Sequence, residues 1–314
     1  MADTLYIVVP CYNEEEVLPV TAEKLKEKTE QLKADGAISQ NSRILFVDDG
    51  SSDKTWQIIS ELHEKDKLYQ GVKLSHNRGH QNALLAGLYT AAQYADATVS
   101  MDADLQDDID AIDEMLKCYA NGADVVYGVR SKRDKDSFFK RATAEEFYKI
   151  MQKMGAEVVF NHADFRLMSK RAIEGLKQFK EVNLFLRGIV PMLGYKTDKV
   201  YFERKERFAG KSKYPVNKML SLAIDGITSF SVKPLSLIFL LAAIFIFGGF
   251  VALITTIVLS ALSLIPAWST IICVMVLCTG VLAACLGVVG LYVGKTYMES
   301  KHRPPFIIEE YLGD

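Results

Sequence analysis

Asp102-Ala103-Asp104-Leu105-Gln106 is the segment whose residue types and spacing most directly suggest chemistry. It follows a short β-branched run. If strand geometry persists, carboxylates two apart point the same way. Hard divalent cations take a few carboxylates and complete their shell with substrate phosphates, and a bound metal neutralises the charge that develops on a diphosphate leaving group. A solvated acidic turn or helix cap would carry the same residues, and Asp107 and Asp108 are expected to be of that kind. Val47-Asp48-Asp49-Gly50-Ser51-Ser52-Asp53 is a second acidic turn. Asp48 or Asp49 could accept from a base or ribose, whereas Ser52 or Asp53 suits the cap of the next helix. Pro10-Cys11-Tyr12-Asn13-Glu14-Glu15 offers an aromatic face for base stacking beside polar groups, or a half-buried tyrosine at a strand end.

The elements that must position these residues are short β-branched runs at Leu5–Val9, Ile44–Val47, Val72–Leu74, Thr98–Met101 and Asp124–Tyr127. Helical patterns lie between them at Glu14–Leu32, Lys54–His63, Gln81–Ala92 and Ile109–Tyr119. Such alternation predicts a mostly parallel, doubly wound sheet. Ligands of these sheets bind beyond the carboxyl ends of the strands, where the polar signatures fall. Further on, a basic segment containing Lys132, Arg133, Lys135, Lys140 and Arg141 precedes a helix near Phe147–Met154. Strands are expected at Ala163–Leu167 and Lys199–Glu203. The second runs into a basic loop, Arg204–Lys213.

Composition splits the chain. Of 314 residues, 37 are Lys or Arg and 39 are Asp or Glu, a formal charge of -2 that gives no reason to expect nucleic-acid binding. Yet no charged residue occurs from Pro234 to Gly294. That stretch is long enough for two spans of ~20 residues, and Ser263–Ser269, with Pro266 and Trp268, supplies a turn. Lys233 flanks one end and Lys295, Lys301 and Arg303 the other, so both ends are expected in the cytoplasm. Met219, Leu220, Ala223, Ile224 and Ile227 recur at helical spacing, as in an amphipathic helix on a membrane surface. Gly290 and Gly294 have the spacing of close helix packing, within the hairpin or between subunits. The expected organisation is a catalytic domain over 1–214, a surface helix over 215–232, a transmembrane hairpin over 233–294 and a cytoplasmic tail over 295–314. The N-terminus lacks the pattern of a signal peptide, and the five cysteines show no disulfide or metal-ligand spacing.

In order and spacing, the Pro10–Glu14, Val47–Asp53, Asn77-Arg78-Gly79 and Asp102–Gln106 segments resemble glycosyltransferase family 2. Gly128-Val129-Arg130, Asp164-Phe165-Arg166-Leu167, Phe185-Leu186-Arg187-Gly188 and Gly210–Pro215 are similar to the polyprenyl-phosphate glycosyltransferases within it. This subgroup includes dolichol-phosphate mannose synthases and bacterial undecaprenyl-phosphate glucosyltransferases with a C-terminal membrane hairpin. The resemblance covers almost the whole chain. It implies a GT-A fold, Mg²⁺ or Mn²⁺, inversion at the anomeric carbon, a polyprenyl phosphate acceptor, a bacterial plasma-membrane location and a homotetramer.

By that resemblance, Pro10, Tyr12, Glu14 and Asp49 surround the nucleotide, and Arg78 sits near the donor. Asp102, Asp104 and Gln106 take the metal and diphosphate positions. Arg130 and Arg141 contact the acceptor phosphate, and Arg207, Ser212 and Lys213 belong to a loop that closes over it. Attraction of the Arg204–Lys213 loop to anionic headgroups is an alternative or additional role. Asp164 is the candidate catalytic base. However, a phosphate monoester has a second pKa near ~6 and hardly needs one, so Asp164 could instead orient sugar hydroxyls or pair with Arg166. UDP-glucose is the favoured donor, with UDP-N-acetylglucosamine and GDP-mannose as alternatives. A processive polysaccharide synthase is disfavoured, because Trp56 and Trp268 stand outside any QxxRW context and two spans are too few for a polymer channel. An inactive membrane scaffold is disfavoured by the complete Asp102, Asp104 and Gln106 set.

Overall fold

A computed structural model describes residues 2–131, 162–181, 186–203, 233–262 and 266–313. The expected helix at Phe147–Met154, Arg141, the loop bearing Arg207, Ser212 and Lys213, and the surface helix at 215–232 lie outside the described residues.

The first strand, β1 (Leu5–Cys11), is buried along its whole length, as a continuous apolar run in a sheet covered on both faces should be. It pairs in parallel with β2 (Arg43–Asp48) and β4 (Ala97–Ser100), and β2 pairs in parallel with β3 (Tyr69–Leu74). On the other side, β6 (His162–Ser169) runs antiparallel between β4 and β5 (Val125–Arg130), and β5 pairs in parallel with β7 (Thr197–Phe202). A last strand, β8 (Ile308–Leu312), lies antiparallel on β3, giving the order β7-β5-β6-β4-β1-β2-β3-β8. The expectation of a mostly parallel α/β sheet holds, with β6 and β8 as the antiparallel exceptions.

Alternate residues of β1 serve the two faces. Ile7 and Val9 join Leu18, Ala22 and Leu25 of α1 (Leu18–Ala34) in one apolar cluster. Tyr6 and Val8 join Ala83, Leu84 and Leu88 of α3 (His80–Ala91) in the other. Gly87 lets α3 lie close against the sheet, since a Cβ there would stand 2.4 Å from Val8 Cγ1 and 2.7 Å from Val47 Cγ2. This close seat fixes the direction in which the first turn of α3 presents His80. Helices α2 (Thr55–Lys65) and α4 (Ala111–Ala120) complete the early crossovers, and α5 (Lys170–Leu176) and α6 (Leu186–Met192) follow β6.

Helix starts differ from the pattern-based boundaries. The first helix begins at Leu18 rather than Glu14, because residues 15–17 form a turn in which Val17 and Leu18 N–H donate to the Glu14 carbonyl. The second helix starts at Thr55 with Lys54 as its N-cap residue and no side-chain cap, although Asp53 Oδ1 accepts from Thr55 N–H at 3.0 Å just ahead of it.

Two long helices, α7 (Lys233–Ala261) and α8 (Ala267–Ser300), flank the expected turn and lie alongside each other. Among the described residues one stretch, Cys278–Ser300, is long and apolar enough to cross a membrane, and a second apolar stretch, Phe247–Leu259, is shorter. The tail beyond α8 is more than an appendage, since its β8 is an edge strand of the eight-stranded sheet.

Candidate active site

Strands β1 and β2 end together, with Cys11 opposite Asp48, while β4 ends earlier, with Ser100 opposite Val8. Loops after these strands form one rim. The loop after β1 is stitched to the loop after β2. Asn13 N–H donates to Ser51 Oγ at 2.9 Å, Ser52 N–H to Asn13 Oδ1 at 2.9 Å, and Glu14 N–H to Thr55 Oγ1 at 2.9 Å. Asn13 adopts φ 53°, a left-handed conformation that Asn tolerates better than most residues. Pro10 is buried, Glu14 is half-buried, and Tyr12 is 43 % exposed, leaving its ring available for stacking.

Asp49 is buried, and both its oxygens serve the chain. Arg78 N–H donates to Oδ1 at 2.7 Å and Gly79 N–H to Oδ2 at 2.9 Å. Burial pushes its carboxyl above the ordinary range, and the two N–H donors partly offset this. Gly50, at φ 65°, allows the contact, because a Cβ there would stand 2.6 Å from the backbone of His76 and Asn77. Asp49 thus anchors the loop that precedes α3. The Arg78 side chain is exposed.

The carboxylate pair does not lie on a continued strand. β4 stops at Ser100, Met101 N–H donates to the Val8 carbonyl, and residues 102–105 turn, with Leu105 at φ 55°. The turn still alternates, with Asp102, Asp104 and Gln106 half-exposed and Ala103 and Leu105 buried. Gln106 N–H donates to Asp104 Oδ1 at 3.2 Å. Asp107 is not the solvated acid expected. It is 2 % exposed, with Oδ1 3.6 Å from Arg130 Nη2, because the turn folds it inward toward the end of β5.

Asp164 reaches the same place through sheet register. Ser100 opposes Arg166 in the antiparallel β4–β6 pair. Asp164 lies two residues before Arg166 on β6, at the end of the sheet where the chain leaves β4 toward Asp102. Ser100 Oγ–H donates to the Asp164 carbonyl at 2.7 Å and fixes this end of β6. Arg187, from the first turn of α6, donates to Asp164 through Nε at 3.2 Å and Nη2 at 2.9 Å, while Arg166 Nη2 donates to Oδ1 at 3.2 Å. His80 Nε2 stands between the acids, 3.6 Å from Asp102 Oδ1 and 3.8 Å from Asp164 Oδ2.

The two carboxyls are shifted in opposite directions. At Asp102, partial desolvation raises the carboxyl, and Asp164 and Asp104 add repulsion that His80 and Arg130 partly offset. At Asp164, burial acts in the same direction, but the guanidinium of Arg187, then Arg166 and His80, overcome it and hold the carboxyl well below the usual range. Of the residues singled out from sequence, Pro10, Tyr12, Glu14, Asp49, Arg78, Asp102, Asp104, Gln106, Arg130 and Asp164 all fall on this rim. His80 and Arg187 joined it unassigned. His80 directly follows Asn77-Arg78-Gly79, and Arg187 lies in a motif that had no role attached.

Among the described residues no three His, Cys, Asp or Glu side chains gather as a metal cage. The half-exposed pair Asp102 and Asp104, with Gln106, fits a hard cation that takes its remaining ligands from a diphosphate.

The domain is GT-A-like in its mixed, mostly parallel sheet order, with an acidic turn at the carboxyl end of the sheet. The chain belongs to glycosyl transferase family 2, whose profile matches residues 6–176. It is similar to the uncharacterized glycosyltransferase YkoT of Bacillus subtilis (strain 168), with 47 % identity over 97 % of this chain and 91 % of that protein. Similarity to the bactoprenol glucosyl transferase of Shigella phage SfV is 38 % over 96 % of this chain and 97 % of that one. Among solved structures, glucosyl-3-phosphoglycerate synthase from Mycobacterium tuberculosis, in complex with Mn²⁺, UDP-glucose and phosphoglyceric acid, shares 15 % identity. That match covers 72 % of this chain and 78 % of that one at a TM-score of 0.45, too loose a likeness to bear on chemistry.

Proposed function

We propose that this enzyme transfers glucose from UDP-glucose to undecaprenyl or another polyprenyl phosphate, with inversion, producing a lipid-linked sugar for modification of cell-envelope glycans. The observation that carries this reading is the convergence of Asp102, Asp104 and Asp164 at one rim of a family 2 domain similar over nearly its whole length to a bactoprenol glucosyl transferase.

In the proposed reaction a phosphate oxygen of the acceptor attacks the anomeric carbon. The bond from that carbon to the UDP oxygen breaks, and UDP leaves with the electron pair. Mg²⁺ or Mn²⁺, when bound, supplies neutralising charge to the leaving diphosphate; Asp102, Asp104 and Gln106 are the residues that would hold it. Tyr12 stacks on the base, with Pro10 and Glu14 shaping its pocket. Asp49 acts through the Arg78–Gly79 backbone, and the exposed Arg78 side chain faces the donor.

A carboxylate held by two guanidiniums is a weak proton acceptor, and a phosphate with a second pKa near ~6 is largely dianionic at neutral pH. We therefore assign Asp164 to positioning of the sugar hydroxyls rather than to base catalysis. Arg130 is assigned to the acceptor phosphate, together with Arg141, Arg207, Ser212 and Lys213. Guanidinium and ammonium donors near a membrane suit that ligand.

The enzyme is placed at the plasma membrane, with α7 and α8 as a hairpin, the helix at 215–232 on the cytoplasmic surface, and both termini in the cytoplasm. The pairing of β8 with β3 supports only that both ends of the hairpin lie on one side, since a chain that returns to the sheet it left crosses a membrane an even number of times. The hairpin is also where a homotetramer would pack. A panel of labelled UDP-glucose, UDP-N-acetylglucosamine and GDP-mannose offered with undecaprenyl phosphate tests the donor. Preferential labelling of lipid by either alternative sugar overturns the assignment to glucose.

A further inference from the structure

The tail beyond α8 makes a set of contacts that the reaction does not by itself require. Tyr311 and Glu310 of β8 pair with Val72 and Lys73. A register shift follows, so that Ile308 meets Leu74. The shift leaves Glu309 as the extra residue, and its carboxylate lies 3.2 Å from Lys73 Nζ. Tyr311 O–H donates to Gln70 Oε1 at 3.2 Å, and its ring stacks on Tyr94. Phe306 packs against Tyr89 of α3, with ring centroids 6.3 Å apart. One contact extends past the strand, where Ser75 N–H donates to the Ile307 carbonyl at 3.0 Å.

Ser75 opens the loop whose far end Asp49 grips through Arg78 and Gly79 N–H, and His80 follows at once. The 75–79 loop is thus held at one end by Asp49, just after β2, and at the other by the tail. Between the two anchors His76 and Asn77 are exposed, with Gly50 close against their backbone, and Asn82 Nδ2 donates to the Arg78 carbonyl at 2.8 Å. Phe306 meanwhile packs on the helix that begins with His80.

We infer that the C-terminal segment Phe306–Leu312 is a positioning element of the active site, setting the Ser75–Gly79 loop and, through it, His80 between Asp102 and Asp164. No tail residue need touch substrate. A tail that only covered the edge of β3 against unwanted pairing would need the ladder but not the coupling to Arg78 and Gly79.

The kinetic part of this inference rests on the proposed function, whereas the structural part does not, and the experiment separates them. In the full-length chain, Glu310→Pro removes a strand N–H and breaks the β8 ladder. Phe306→Ala with Tyr311→Ala removes the ring contacts while leaving the backbone intact. Hydrogen exchange is followed at individual amides in detergent. In both variants the Arg78 and Gly79 amides should exchange at least about tenfold faster than in wild type, although their bonding partner, Asp49, is untouched. A peptide spanning residues 304–313, added to the Glu310→Pro protein, should restore protection by strand addition. In a transfer assay the KM for the nucleotide-sugar should rise by roughly tenfold, the scale of one lost polar contact, with less change in KM for the lipid. If β3 amides lose protection while Arg78 and Gly79 keep wild-type exchange in both variants, the tail is an edge cover and the inference is wrong. If exchange responds as expected but wild type transfers no sugar to lipid, the positioning role stands and the proposed reaction fails.

Discussion

Asp164→Asn changes one atom at the centre of the charge cluster and so tests its logic. Arg166 is 2 % exposed, and Asp164 is the carboxylate that meets its guanidinium, at 3.2 Å. Removing the charge leaves a buried cation without its counterion, a change that costs about 3–5 kcal/mol when one partner of a buried pair is lost. Two features put this case at the low end. Asn keeps an acceptor oxygen, and Arg187, being partly exposed, can turn to water. We therefore expect a loss of about 3 kcal/mol, or roughly 6–12 °C in Tm at ~2–4 °C per kcal/mol for a domain of this size. Thermal unfolding in detergent reads it directly.

The sign of the pH effect follows from the depressed carboxyl. The contribution is fully present above the unfolded value near ~4 and is lost as pH falls through the lower folded value, so the gap between variant and wild type should be constant from pH ~5 to ~8. For the same reason wild-type transfer should show no acid limb from Asp164 in that range. An Asn variant with wild-type Tm would refute the claim that Asp164 compensates Arg166. A gap that closes between pH 5 and 8 would refute the depressed carboxyl.

Three other outcomes are expected. Asp104→Asn should fold normally and lose transfer by orders of magnitude, and excess EDTA should silence the wild type; full activity in either case removes the metal assignment. Arg207→Ala should cut transfer steeply in neutral detergent, where headgroup attraction is absent, and Arg207→Lys should recover only part of it because an ammonium lacks the planar fork; wild-type kinetics for Arg207→Ala would exclude an acceptor-site role. A reporter fused after Asp314 should score as cytoplasmic, whereas an external C-terminus would contradict the cytoplasmic placement of the sheet that β8 joins.

The parallel half of the sheet was legible because each of its strands is a short apolar run followed by a polar turn, the pattern that burial on two faces imposes. Asp102, Asp104 and Asp49 were legible as types at strand ends. Their detailed roles were not, because these depend on contacts distant in sequence. Asp49 spends both oxygens on amides 29 and 30 residues away. Asp164 and Asp102 meet only because β6 runs antiparallel to β4, and nothing in Ala163–Leu167 specifies its direction. Asp107 looked solvated because four acids crowd one segment, yet the turn at Leu105 folds it against Arg130. β8 escaped notice because its residues, Ile-Glu-Glu-Tyr-Leu, do not alternate as a half-buried strand should, and its bulge at Glu309 breaks the period.

The central claim is the transfer of glucose to a lipid phosphate, and its most direct test is a two-phase assay. Purified protein in neutral detergent is given undecaprenyl phosphate, Mn²⁺ and UDP-glucose labelled in the sugar, and label is followed into the organic phase. The account predicts organic-phase label that requires both lipid and metal, appears with one UDP released per glucose transferred, and is lost in Asp104→Asn. Release of UDP with all label left in water, or lipid labelling that persists unchanged in Asp104→Asn, would contradict it.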